Sequence, residues 1–143
     1  MDERTIRARM LLGGEAMDKI KHSHVAVFGL GGVGSWCAEA LARSGVGRLT
    51  LVDRDSVGIS NINRQLIALG STVDRPKAQV MAERIHDIDP GIETNIIVGH
   101  YEAADRERFF ADYDYVVDCI DLVSCKVDLI MSCRERGDRK SVV

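Results

Sequence analysis

A glycine-rich segment at residues 29–34, GLGGVG, offers the clearest chemistry in this sequence. It matches G-x-G-x-x-G, follows a short apolar run and precedes apolar residues at helical spacing, which is the context in which the motif binds a nucleotide. Glycines are needed because side chains would block the tight turn and keep backbone N–H groups away from phosphate oxygens. Asp53 follows about 20 residues later, where a carboxylate can accept hydrogen bonds from ribose hydroxyls. The motif leaves NAD, FAD and ATP open, and its candidate ligands are Gly29, Gly31, Gly32, Gly34 and Asp53.

The polar segment after Asp53 favours a triphosphate over a redox dinucleotide. Residues 53–65 read DRDSVGISNINRQ, and an enzyme that cleaves a triphosphate must neutralise and orient its negative charge. Arg64 offers a planar fork of donors for phosphate oxygens. The neutral amides of this segment belong to Asn61 and Gln65.

Two further charged residues are expected near the same phosphates. Lys77 follows Pro76 at a predicted helix start, where its ammonium adds to the positive end of the helix. Asp121 comes just after a predicted strand and is a candidate ligand for Mg²⁺, which favours carboxylate oxygens and phosphates. The plainer alternative is that Arg64 and Lys77 are solvated surface charges and Asp121 is a helix cap.

These candidates require strands that end at one edge of a sheet. Apolar runs separated by segments with helical periodicity indicate βαβ units, and therefore an α/β, Rossmann-like, doubly wound and mainly parallel sheet. We expect one domain over 1–143, made of an N-terminal helical segment (1–24), βα units (25–137) and a tail (138–143). The predicted strands are 25–28, 49–52, 92–98 and 115–120, and the predicted helices are 2–20 (interrupted at Gly13), 33–44, 76–88, 103–111 and 124–136.

Composition excludes several other classes of protein. With 143 residues, 45% of them hydrophobic and 29% charged, the chain has the makeup of one globular domain rather than a disordered or fibrous protein. No apolar run is long enough to span a membrane, and residues 1–24 contain no signal-peptide pattern. The net charge of −3 gives no global reason to bind nucleic acid. The four cysteines form no C-x-x-C pair and so no familiar zinc-site spacing; without an export signal we expect them to be reduced thiols in a cytoplasmic protein.

Taken together, these motifs resemble the adenylating domain of the ubiquitin-activating-enzyme superfamily, of the ThiF, MoeB and HesA type. Within it, the sequence is most similar to the TcdA (CsdL/YgdL) group of transfer-RNA threonylcarbamoyladenosine dehydratases. The family continues well beyond the fourth strand and its helix, and residues 139–143 do not resemble its next strand. The matching segments are GLGGVG (29–34), DRD (53–55), SNINRQ (60–65), Pro76-Lys77 and CID (119–121).

The resemblance implies ATP and Mg²⁺ as cofactors, with Asp55 joining Gly31, Asp53, Asn61, Arg64 and Lys77 around ATP, and Asp121 serving the metal. It also implies a homodimer in which Arg7 reaches the partner's phosphates. Arg64, Lys77, Asp121 and Arg7 are thus the expected catalytic residues, and tRNA is the expected substrate. An alternative substrate is the C-terminal glycine of a ubiquitin-like sulfur-carrier protein. An NAD-dependent dehydrogenase and a non-catalytic fragment are the remaining alternatives.

Overall fold

A computed structural model describes residues 2–137 and 139–142. Five strands alternate with helices along most of the chain, which confirms the predicted α/β class. Short 3-10 helices cover Glu3–Thr5, Ile59–Asn61 and Ala103–Phe109. The strands are β1 (His24–Phe28), β2 (Arg48–Asp53), β3 (Glu93–Val98), β4 (Tyr115–Asp118) and β5 (Arg139–Val142), and the helices are α1 (Ile6–Leu12), α2 (Gly14–His22), α3 (Gly34–Arg43), α4 (Lys77–Ile88) and α5 (Val123–Arg136).

All the strand pairs in the sheet are parallel, and the strand order is β3-β2-β1-β4-β5. The chain therefore places β2 and then β3 on one side of β1, and it places β4 on the opposite side of β1. At such a reversal the loops leaving β1 and β4 part, which opens a crevice at the carboxyl ends of the strands. The glycine segment leaves β1 at this point.

Side chains of β1 divide the core into two layers. Val25 and Val27 belong to a cluster with α3 and α4, whereas Ala26 and Phe28 belong to a second cluster that includes Phe109 and α5 residues. Every residue of β1 is buried, as expected for a strand with helices on both faces of its sheet. Successive side chains of a strand point to opposite faces, so a single apolar run serves both layers.

Three sequence expectations differ from the structure. The segment predicted as a tail contains β5, which pairs in parallel with β4. Its sequence, RKSV, is mostly charged and polar, and such a strand can still add at the edge of a sheet, where charged residues are common. The helix predicted over 103–111 is a kinked 3-10 segment, because Asp105 has non-helical dihedral angles. The fourth strand ends at Asp118, so Cys119 and Ile120 lie in the turn after it. The helix break predicted at Gly13 is confirmed, with φ of 86° there.

No helix within the described ranges is long and apolar enough to cross a bilayer.

A nearly buried carboxylate joins α3 to α4. The side chain of Glu39 is 10% exposed and accepts hydrogen bonds from Arg43 Nε at 2.7 Å and from Arg84 Nε at 2.5 Å. The hydrogen bond from Arg84 outweighs burial and lowers the pKa of Glu39 below its ordinary value of 4.5. A lowered pKa in the folded state means that the stabilisation is present above the unfolded pKa and is lost as the pH falls through the folded one.

We therefore predict that Glu39→Gln lowers the thermal midpoint at neutral pH and that its difference from wild type narrows below about pH 4.5. Thermal unfolding followed by circular dichroism between pH 3 and 7 measures this gap. Glu93→Gln is the control, because the Arg48–Glu93 pair is exposed and exposed pairs contribute about 0–1 kcal/mol. Parallel pH curves for wild type and Glu39→Gln would contradict the assignment.

Candidate functional site

A cavity of about 730 Å³ lies at the carboxyl ends of β1, β2, β3 and β4, within the size range of small-molecule sites. It contains three cationic side chains, three carboxylates and the open face of the glycine segment. Ten of the predicted site residues line it: Gly29, Gly31, Gly32, Asp53, Asp55, Asn61, Arg64, Gln65, Lys77 and Asp121.

The glycine segment packs closely against the turn that follows β4. Gly29 has φ of 91°, and a Cβ there would lie 2.6 Å from the carbonyl oxygen of Cys119. A Cβ on Gly34 would lie 1.7 Å from the carbonyl oxygen of Gly29. Gly34 is buried at the start of α3 and does not line the cavity, so its contribution is to let the helix begin directly behind the loop.

Asp53 holds this loop in place. Its Oδ2 accepts the backbone N–H of Leu30 at 2.7 Å, and its Oδ1 accepts the backbone N–H of Asp55 at 2.8 Å. The carboxylate thus joins the end of β2 to the glycine segment. Each oxygen retains a further acceptor position, so the contact with ribose expected from the sequence stays compatible with the geometry and stays a prediction.

Lys77 places a desolvated cation on the cavity wall. The residue is 6% exposed, and lysine is almost never buried unless it is paired. Its Nζ lies 3.7 Å from Asp55 Oδ2, beyond hydrogen-bond distance, and makes no hydrogen bond within the described chain. The position of Lys77 is fixed by its backbone, which donates to the carbonyl oxygen of Asp55 at 2.9 Å. An ammonium held in this way can form strong hydrogen bonds with an anion that enters the cavity.

The segment around Arg64 closes another wall of the cavity. Arg64 Nη1 donates to the carbonyl oxygen of Ser60 at 3.1 Å and to Asn63 Oδ1 at 3.0 Å, while the Arg64 carbonyl oxygen accepts from Trp36 Nε1 at 3.1 Å. The amide oxygen of Asn61 accepts from the backbone N–H of Gly58 at 2.9 Å. These contacts hold the loop, and they leave the remaining guanidinium donors of Arg64 at the cavity.

Gln65 is 6% exposed, and its Oε1 is buried without a hydrogen-bond partner in the described chain. A buried acceptor of this kind costs free energy unless it is satisfied. Because Gln65 lines the cavity, a ligand donor or an ordered water can supply the missing hydrogen bond.

Asp121 lies in the turn between β4 and α5 and is exposed. Its carboxylate forms no hydrogen bond or ion pair with the residues that the structure describes. Those residues also contain no cluster of three or more histidines, cysteines and acidic side chains. A single free carboxylate in a cavity suited to phosphates fits the usual binding of Mg²⁺, which combines one or two carboxylates with phosphate oxygens and waters.

Arg7 lies apart from this site. It is exposed on α1, has no ion pair within the described chain and does not line the cavity. The position agrees with the expectation that its side chain acts outside its own subunit, which stays a prediction.

The cysteines give little support to a nucleophilic role. All four cysteines are free thiols, as expected. Cys119 is the cysteine that lines the cavity. Burial raises the pKa of the Cys119 thiol to about 12, so the reactive thiolate is scarce at neutral pH.

Several residues that line the cavity were not predicted from the sequence. His100 and Tyr101 follow β3 and lie at the cavity edge, and Arg54 adds a cation next to Asp53. The Tyr101 hydroxyl donates to Asp128 Oδ2 at 2.7 Å, which fixes its ring in the wall. Each of these residues follows a predicted strand, and this position alone could have indicated a site residue, since ligands bind where parallel strands end.

The chain belongs to the ThiF family, whose pattern matches residues 3–139. It is 49% identical over 132 residues to the tRNA threonylcarbamoyladenosine dehydratase of Bacillus subtilis (strain 168), covering 91% of this chain and 52% of that protein. It is 34% identical over 119 residues to the molybdopterin-synthase adenylyltransferase of Escherichia coli (strain K12), covering 83% and 48%. The crystal structure of the E. coli tRNA N6-threonylcarbamoyladenosine dehydratase in complex with ATP superposes with a TM-score of 0.95 at 39% identity, covering 98% of this chain and 58% of that one. The chain thus spans about half the length of the curated relatives it matches.

The contact between Gly34 and Gly29 yields a stability prediction. Gly34→Ala places a methyl group against a backbone oxygen that cannot move without disturbing the loop, so we expect a loss of about 1–3 kcal/mol or more. Gly70→Ala is the matched control, since its Cβ meets nothing within 4 Å. Urea unfolding measures both; equal midpoints for the two variants would contradict the close packing.

Proposed function

We propose that this chain forms the ATP-binding part of an enzyme that activates a carboxylate by adenylation, and that the carboxylate belongs to threonylcarbamoyladenosine in tRNA. The observation that carries the proposal is the desolvated Lys77 ammonium, which faces a glycine loop and Arg64 across one cavity. This arrangement supplies positive charge and backbone donors for a polyphosphate. Support for the substrate comes from the names of the relatives, which are proteins longer than the region that this chain matches.

The chemistry needs activation because a free carboxylate has no good leaving group. A carboxylate oxygen attacks the α-phosphorus of ATP, the bond to the β-phosphate oxygen breaks, and pyrophosphate leaves. The resulting acyl adenylate is attacked by the neighbouring carbamoyl group, AMP leaves, and a ring closes with net loss of water. Holding the reactants in line and neutralising the phosphates account for the first step without a protein nucleophile.

Within this proposal each charged side chain has a role. Arg64 and Lys77 bind phosphate oxygens and stabilise the charge that develops as pyrophosphate departs. Asp53 and Asn61 hold the loops that contact the nucleotide, with Gln65 offering an amide. Mg²⁺ would be held by Asp121 and would polarise phosphate oxygens.

The proposal includes a homodimer, since Arg7 lies on an exposed helix where it can reach a second subunit. An arginine supplied by the partner adds positive charge at the phosphates only in the assembled enzyme. The cytoplasmic location expected from the cysteines also stays a prediction.

The second candidate is adenylation of the C-terminal glycine of a sulfur-carrier protein. It is favoured by the 34% identity to a molybdopterin-synthase adenylyltransferase, and it uses the same nucleotide site. Mass spectrometry distinguishes the two: a cyclised base in digested tRNA supports the dehydratase, whereas an AMP-sized mass increase on the carrier protein supports the adenylyltransferase.

Phosphate-binding residues should dominate the rate. In the full-length polypeptide we expect Arg64→Ala to reduce ATP–pyrophosphate exchange by about 10²–10³-fold, the loss that follows removal of one charge-stabilising donor. We expect a loss of similar size, about 10²–10³-fold, for Asp121→Ala, because it removes the carboxylate that would hold Mg²⁺ at the phosphates. Lys19→Ala is the control, because the Lys19–Glu15 pair is exposed on α2. Near-wild-type exchange in both site variants would refute these roles.

The same cavity should discriminate between nucleotides. Isothermal titration calorimetry should show binding of ATP in the presence of Mg²⁺, binding weakened by Lys77→Met, and no comparable binding of NAD. Binding of NAD with no response to ATP would favour the dehydrogenase alternative, and ATP binding without exchange would favour a non-catalytic module.

A further inference from the structure

An ion pair beside the turn between β4 and α5 joins a buried carboxylate to a lysine whose side chain is 19% exposed, and the proposed chemistry does not use it. Asp118, at the end of β4, is 1% exposed, and its Oδ1 accepts from Lys126 Nζ at 3.1 Å. Its Oδ2 is buried without a hydrogen-bond partner among the residues that the structure describes. An ion pair with a buried carboxylate is a weak source of stability, because the cost of desolvating the charge offsets much of the attraction. The pair therefore requires an explanation other than general stabilisation.

Both members of the pair also hold the backbone of Ile120. The Ile120 N–H donates to Asp118 Oδ1 at 3.0 Å, and Lys126 Nζ donates to the Ile120 carbonyl oxygen at 2.9 Å. These two groups belong to successive peptide planes, one on each side of Ile120. Because peptide planes are rigid, the pair fixes the backbone from which Asp121 emerges.

The other end of the turn is anchored to the glycine loop. The backbone N–H of Cys119 donates to the carbonyl oxygen of Phe28 at 2.8 Å, and Gly29 packs against the Cys119 carbonyl group. The turn is therefore set relative to the loop that leaves β1. By contrast, the carboxylate of Asp121 has no partner of its own within the described chain, so its placement depends on the backbone before it.

We infer that Asp118 and Lys126 are positioning residues that hold the Asp121 carboxylate at the cavity for a divalent cation bound together with a nucleoside triphosphate. The inference rests on the proposed function, which assigns that nucleotide and cation to the cavity. Groups that orient a metal ligand typically change metal affinity by about 10–100-fold when they are removed. Such a change differs from a loss of nucleotide binding, because Asp118 and Lys126 do not line the cavity.

The test uses the full-length polypeptide and the double variant Asp118→Asn with Lys126→Met. Removing both charges avoids leaving one buried charge uncompensated, which would destabilise the fold. Mn²⁺ serves as the probe, and its binding in the presence of a non-hydrolysable ATP analogue is followed by electron paramagnetic resonance. We expect Mn²⁺ affinity to fall about 10–100-fold, while the affinity for metal-free ATP stays at the wild-type value.

Two further variants separate positioning from folding. Lys126→Arg keeps a cation and several donors, so it should retain most of the Mn²⁺ affinity. Arg134→Met removes an exposed cation from the same helix and should leave Mn²⁺ binding unchanged. In activity measurements the double variant should need more Mg²⁺ for its half-maximal rate and should regain much of its rate at saturating Mg²⁺.

Wild-type Mn²⁺ affinity in the folded double variant overturns the inference. If the double variant does not fold, Asp118→Asn alone replaces it, because the lysine that keeps its charge is 19% exposed and can remain solvated. Unchanged Mn²⁺ affinity in that variant overturns the inference equally. If the wild-type protein binds Mn²⁺ together with ATP and the double variant has the same Mn²⁺ affinity, the positioning role alone is refuted. A wild-type protein that binds neither ATP nor the metal refutes the proposed function as well.

Discussion

The close approach of the glycine loop to the turn after β4 is the constraint on which the rest of the site depends. Gly29 and Gly34 remove side chains at the positions where the Cys119 carbonyl and the Gly29 carbonyl come nearest. With that space available, α3 begins directly behind the loop, and Gly31 and Gly32 of the loop line the cavity. A bulkier loop would separate β1 from the β4 turn and would move Asp121 away from Arg64 and Lys77 across the cavity.

The electrostatics of the cavity follow from this geometry. Lys77 is buried, and its nearest carboxylate lies beyond hydrogen-bond distance. By contrast, each carboxylate oxygen of Asp53 accepts a backbone N–H group of the protein. The acidic residue thus stabilises the protein's own loop, and the cation remains available to a ligand. Because electrostatic interactions strengthen away from bulk water, an anion in the cavity would gain more from this buried ammonium than from a surface lysine.

The sequence was sufficient for features that depend on local pattern. The glycine motif, the strand before it and the helix break at Gly13 all follow from short-range rules of backbone conformation and hydrophobic spacing, and the structure confirms them. Arg64, Lys77 and Asp121 meet at one cavity because parallel strands place their carboxyl ends together, which a predicted sheet already implies. One failed prediction was local, since the sequence around Asp105 has helical composition but a non-helical backbone. Another was not local, because β5 forms through pairing with β4, which lies more than 20 residues earlier in the chain.

The Asp118–Lys126 pair shows why other parts of the site could not be predicted from the sequence. Its members are eight positions apart, one at the end of a strand and the other inside a helix, so no helical or strand periodicity relates them. Their contact exists because α5 folds back over the turn that contains Ile120. An apolar pair would fill the same space at no cost in desolvation, but it could not form hydrogen bonds to the N–H and the carbonyl group of one residue. The combination of charge, burial and backbone contact is therefore better explained by the need to hold Asp121 than by the stability of the fold.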